Sequence, residues 1–96
     1  MMMRASVTNQ RPTIFVVDDD SAVRDALKLL LRSVGQSVET YGAGSEFLEA
    51  YSEDRPGCLV LDIRMPGMSG LELQQKLNEK HSILPIIFIT GHGDVP

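Results

Sequence analysis

Ninety-six residues leave room for one small domain, and a composition of 43% hydrophobic and 23% charged residues belongs to an ordinary folded chain, not a disordered one. A net charge of -4 with no Lys/Arg cluster gives a nucleic-acid or anionic-membrane binder no footing. The single cysteine, Cys58, excludes an internal disulfide, and its place in an apolar run reads as a small core side chain. Met1-Met2-Met3-Arg4 leads into polar residues without an apolar signal segment, and no apolar run reaches the length of a membrane span, so a cytoplasmic location is expected.

Residues 1–12 are polar and close on Pro12, and a flexible N-terminal segment is expected there. Thr13 to Val17 is uniformly apolar, as a strand covered on both faces must be. Asp18-Asp19-Asp20-Ser21 follows, and Asp20 or Ser21 is placed to cap a helix from about Ala22 to Val34. In that helix Val23, Leu27, Leu30, Leu31 and Val34 form one apolar stripe. Arg24, Lys28 and Arg32 form a basic row at i, i+4 and i+8, which reads as a solvated face. Gly35 is set to end the helix in the left-handed conformation.

Ser37 to Tyr41 reads as a short edge strand, and Gly42-Ala43-Gly44 as a loop. Ser45 is the expected cap of a short helix to about Tyr51, with Phe47, Leu48 and Tyr51 inward. A charged connector containing Pro56 leads to the apolar run Cys58-Leu59-Val60-Leu61, a buried strand that stops at Asp62. After Arg64-Met65-Pro66-Gly67-Met68-Ser69-Gly70, Ser69 is the cap candidate for a helix to about Glu79 carrying Leu71, Leu73 and Leu77. Pro85 opens a last strand, Ile86 to Thr90, followed by the loop Gly91-His92-Gly93 and a possible cap at Asp94. Alternating strands and helices predict an α/β domain with a parallel sheet and right-handed crossovers.

Three of the apolar runs end in oxygen-bearing groups: Asp18-Asp19-Asp20, Asp62 and Thr90. If those strands are parallel neighbours, their tips converge where α/β folds bind ligands. A carboxylate at a strand end can do no more than cap the next helix. Carboxylates gathered with a hydroxyl, however, suit a hard divalent cation beside an acidic nucleophile.

Taken together, Val16-Val17-Asp18-Asp19-Asp20, Leu61-Asp62-Ile63-Arg64-Met65-Pro66-Gly67-Met68-Ser69-Gly70 and Ile89-Thr90-Gly91-His92-Gly93-Asp94-Val95-Pro96 resemble the receiver domain of two-component response regulators. The last stretch is similar to the FixJ-like subfamily of transcriptional regulators. The resemblance covers residues 13–96 and implies a flavodoxin-like doubly wound parallel sheet with strand order 2-1-3-4. It also implies that Asp62 takes a phosphoryl group from a sensor histidine kinase. Mg2+ would be held by the Asp19 and Asp62 carboxylates, by Asp18 through a water, and by the Arg64 backbone carbonyl. Thr90 would donate to a phosphoryl oxygen, and Gly91 would leave the phosphoryl site open. The Arg64 side chain and His92 would flank the entrance and set the lifetime of the phosphoryl group, unless both are simply exposed loop residues.

Receivers in this family carry a fifth strand with a lysine that meets the phosphoryl group, and neither Lys76 nor Lys80, both on the third predicted helix, fits that role. The sequence is therefore expected to be a partial receiver, truncated before its fifth strand and last helices. The apolar strand 86–90 would then lie at an open sheet edge, where a second copy could pair. Two other readings compete with the phosphoacceptor. A docking or dimerisation module that is never phosphorylated would retain the fold without the lysine. A phosphohydrolase of the haloacid-dehalogenase kind also uses a strand-end Asp with Mg2+, but it expects Thr or Val where this chain has Ala22, and its cap domain exceeds this length.

Overall fold

Strand β1, Thr13–Val17, is the hub of the sheet, and its four apolar residues after Thr13 suit a strand with neighbours on both sides and helices on both faces. The computed structural model describes residues 11–89. Chain order continues through α1 (Ser21–Ser33), β2 (Ser37–Tyr41), α2 (Gly44–Ala50), β3 (Gly57–Asp62), α3 (Gly70–Glu79) and β4 (Ile86–Ile89). The four strands are parallel in the order β2-β1-β3-β4. The expected strand order and the β1 and β2 boundaries are thus observed; Thr90, expected to close β4, lies outside the described residues.

The direction of each crossover explains the layers. From β1 the chain steps outward to β2, then returns past β1 to β3 and on to β4. Right-handed connections therefore put α1 on one face and both α2 and α3 on the other. Side chains alternate across the sheet. Phe15, Val17, Leu59 and Leu61 share the second face and join Phe47 of α2 with Leu73 and Leu77 of α3 in one buried core. Phe15 and Phe47 meet edge-on at 5.5 Å between ring centres, a preferred aromatic geometry. Each such fully buried side chain contributes roughly 1.5–3 kcal/mol over its exposed state.

The α1 face is less complete. Val16 and Val38 are covered, but Cys58 and Val60 are half-exposed and Ile87 is 54% exposed. An open groove of about 620 Å³ runs between Ile14 and Cys58 of the sheet and, on the helix side, Leu31 of α1 and Val34 just after it. Two expectations change here. Cys58 is not a buried core side chain. The α1 stripe is only partly used, since Leu30 and Val34 are 60% and 65% exposed and no α1 residue is fully buried. An amphipathic stripe predicts what a helix can bury, and burial also needs an apposed surface.

Helix ends follow the local chemistry. Asp20 caps α1 by accepting from the Ala22 amide at 2.9 Å, and Gly35 follows the helix with φ 87°. Ser69 and Glu72 form a reciprocal capping box at the start of α3. Ser45 does not cap α2, which begins one residue earlier with Ala43 at the cap position and no side-chain cap bond. Glu46 in its first turn reaches back instead and accepts from the Gly42 amide at 3.2 Å. Leu71 is 56% exposed because its spacing from Leu73 and Leu77 takes it off their face.

Candidate functional site

Strand register builds the site. Val17 of β1 pairs with Leu61 of β3, so the next residues, Asp18 and Asp62, stand side by side at the C-terminal tips of adjacent parallel strands. Ligands of α/β folds bind at such tips. Asp62 is wholly buried and Asp18 is 3% exposed, while Asp19 faces solvent. One carboxylate oxygen from each of Asp18, Asp19 and Asp62 lies within 4.8 Å of the others.

The three consecutive aspartates have separate tasks. Asp18 accepts from the Asp20 amide at 2.9 Å, which folds the loop over its own carboxylate. Asp20 turns away to cap α1. Asp19 is left at the solvent side of the cluster. On β3, Asp62 accepts from the Arg64 amide at 3.1 Å, so the chain turns immediately after the strand. The turn is closed by Gly70, whose amide donates to the Ile63 carbonyl at 3.0 Å. A Cβ at Gly70 would collide with the Asp62 carbonyl, so α3 can start this close to the site only with glycine there.

Burial raises the Asp18 carboxyl above the ordinary aspartate range; the Asp20 amide opposes this, and the Asp62 and Asp19 charges together with a hydrogen bond to Asp62 reinforce it. Carboxylates this close repel one another, and a cation between them relieves the repulsion. Oxygen ligands on opposite sides of an octahedral Mg2+ stand about 4.2 Å apart. Three hard oxygens within 4.8 Å of one another would suit one such ion. The donor set fits Mg2+ and offers no soft ligand.

Of the residues expected at the site, the structure brings together Asp18, Asp19 and Asp62. Arg64 is exposed beside them. Thr90, Gly91 and His92 lie outside the described residues. One neighbour was not foreseen. Arg24, read from the sequence as part of a solvated basic row, is half-buried, and its Nη1 donates to the Asp18 carbonyl at 2.7 Å. No spacing rule announces a contact between a helix side chain and a backbone carbonyl six residues upstream.

Known proteins carry the same frame. The family model for the response regulator receiver domain matches residues 14–96. The response regulator protein TodT of Pseudomonas putida is 48% identical over 90 residues, covering 94% of this chain and 40% of that protein. The transcriptional regulatory protein FixJ of Bradyrhizobium diazoefficiens is 46% identical over 83 residues, 86% of this chain and 40% of its own length. The chain thus spans about two-fifths of these curated relatives. Among solved structures, the response regulator StyR superposes with a TM-score of 0.83 at 57% identity, covering 90% of this chain and 43% of that one. TrrA of Thermotoga maritima, solved in complex with Mg(2+)-BeF, superposes with a TM-score of 0.77 at 34% identity, covering 86% of this chain and 72% of its own. With its strand order, its acidic tips and these relatives in agreement, the chain belongs to the response regulator receiver domains of two-component systems.

Proposed function

We propose that this chain is the phosphoacceptor of a two-component pair, and that Asp62 takes its phosphoryl group from a phosphohistidine on a sensor histidine kinase. The observation that carries the reading is the convergence of Asp18, Asp19 and a fully buried Asp62 on one small volume at the strand tips. An Asp62 carboxylate oxygen attacks phosphorus in line as the P–N bond to the kinase histidine breaks. The bonding pair stays on the imidazole nitrogen, which takes up a proton, and an acyl phosphate remains on Asp62. Asp19 and Asp62 would hold Mg2+ directly, Asp18 through a water, and Arg64 by its backbone carbonyl. When bound, Mg2+ offsets the charge of the carboxylates and of the phosphoryl oxygens during transfer.

In this reading the Thr90 hydroxyl donates to a phosphoryl oxygen and Gly91 leaves it room. The Arg64 side chain and His92 shield the acyl phosphate and set its lifetime. The chain turns over no external substrate, so it is a switch and not an enzyme, with a transcriptional output. It works in the cytoplasm beside its kinase. Intact mass spectrometry before and after incubation with acetyl phosphate and Mg2+ tests the assignment. One added phosphoryl group, absent in Asp62→Asn, is the expected result; no addition to the wild-type chain would overturn it.

A second reading, a homodimer or docking module formed without phosphorylation, is favoured by one feature. β4 lies at the edge of the described sheet with Ile87 54% exposed, and an apolar edge is a template for strand pairing. Light scattering that returns a monomer at high concentration would sink the pairing of 86–90 edges.

A further inference from the structure

We infer that Arg24 is a positioning residue for the acidic loop: its guanidinium clamps the peptide that joins Asp18 to Asp19 and so sets the two carboxylates relative to each other. The inference rests on the Mg2+ reading for its purpose, though not for its geometry. The Asp18 carbonyl belongs to the peptide plane between the two aspartates. Arg24 Nη1 donates to that carbonyl at 2.7 Å, a short, charge-assisted bond in a half-buried setting. The plane before it is held as well, because the Asp18 amide donates to the Tyr41 carbonyl at 3.1 Å. The plane after it is held by the Asp20 amide on the Asp18 carboxylate. Three successive peptides are thus fixed, and Arg24 is the side chain that fixes the middle one.

The surroundings of Arg24 are shaped for this. It stands in the first turn of α1, with its own amide donating to the Asp20 carbonyl at 3.0 Å, so the side chain doubles back over the loop that precedes its helix. On the other side the guanidinium lies against Gly42, where a Cβ would come within 3.2 Å of Nη1. The Gly42 amide is itself tied to Glu46, so the glycine is not free to retreat. Arg24 therefore links the acidic loop, α1 and the loop between β2 and α2. Lys28 and Arg32, the other members of the basic row, are half-buried and exposed respectively, and among the described residues neither hydrogen-bonds to the acidic loop.

Electrostatics alone predicts the opposite effect on metal binding, which makes the test decisive. A guanidinium near a divalent cation repels it, so a role through charge would have Arg24→Ala tighten Mg2+ binding. A role through geometry has the same variant weaken it. The 96-residue chain is compared as wild type, Arg24→Ala, Arg24→Lys and Gly42→Ala. Metal-free amide hydrogen exchange reads the loop, and calorimetric titration with MgCl2 reads the ligands. In Arg24→Ala the Asp20 amide should exchange about tenfold faster while β3 amides keep their protection. Mg2+ should bind about tenfold more weakly. Arg24→Lys, which keeps the charge and a donor, should recover most of the affinity, and Gly42→Ala should show a smaller loss of the same kind. An Asp20 amide as protected in Arg24→Ala as in wild type overturns the inference, and so does Mg2+ binding that is unchanged or tighter. If the wild-type chain binds no Mg2+, the metal reading falls on its own, and the metal-free exchange still decides whether Arg24 holds the loop.

Discussion

Two acidic groups on neighbouring parts of this sheet have opposite fates. At the strand tips Asp18 is buried among other carboxylates, and its carboxyl is raised. On edge strand β2, Glu39 is gripped by Arg55, whose Nη1 and Nη2 donate to its two oxygens at 3.0 and 2.7 Å, and its carboxyl is lowered. Tyr41 donates to the same carboxylate at 2.8 Å, and the Arg55 guanidinium lies 4.9 Å above the Phe15 ring. The paired group fastens the connector before β3 to the sheet and supports the fold. The clustered group costs stability, and a domain accepts that cost where a bound cation supplies the compensating positive charge. A carboxylate's role here is thus told by whether its partner is built into the chain or must arrive from outside.

The contrast can be broken from either side. Arg55→Ala has the larger expected effect, since it removes the bidentate partner of Glu39 and the cation over Phe15 together. The pair is partly open to water, with side chains 28% and 38% exposed, so screening limits the loss to on the order of 1–2 kcal/mol. Urea unfolding at pH 7 should show a lower midpoint with an unchanged slope; an unchanged midpoint would mean that the clasp is ornamental. Asp18→Asn should act in the other direction. The amide oxygen still accepts from the Asp20 amide, but the buried charge is gone. The metal-free melting temperature should rise by several degrees, about 1 kcal/mol corresponding to roughly 4–8 °C in a domain this small. The same variant should gain less stability from Mg2+ than wild type does. A fall in its metal-free melting temperature would show that the cluster is not a strained one.

Much of this is legible in the amino-acid sequence, for reasons that are local. Asp18 and Asp62 each close an apolar run, and parallel pairing of those runs brings them together. Asp20 and Ser69 stand where helix caps are needed, and both cap. What stayed hidden depends on apposition across the fold. Glu39 and Arg55 are sixteen residues apart and meet only because the connector after α2 folds back along β2. Arg24 looks like Lys28 and Arg32 on a helical wheel, and only the placement of α1 beside the β1 tip separates it from them. Leu30 and Val34 belong to the apolar stripe by period, but the period says nothing of whether a surface faces them. Ser45 has the chemistry of a cap, and the first-turn carboxylate of Glu46 took that place through Gly42.

The subtlest expected effect is on the pH dependence of metal-free stability, where the two carboxylates pull in opposite directions. Asp18, raised in the folded chain, holds its proton more tightly there than when unfolded. Its cost is therefore present in full above the raised value and is relieved as pH falls through that value toward the ordinary 3.8. Glu39, lowered in the folded chain, holds its proton less tightly there. Its contribution is complete above the ordinary glutamate value of 4.5 and is lost as pH falls from there through the lowered one. Urea midpoints in the presence of a chelator should thus rise gently on mild acidification and then drop. Asp18→Asn should flatten the rise while keeping the drop, and Glu39→Gln should soften the drop while keeping the rise. If both variants reshape the same limb of the profile, the two groups do not differ as their surroundings imply, and the division between an acidic site awaiting a cation and an acidic anchor already paired is wrong.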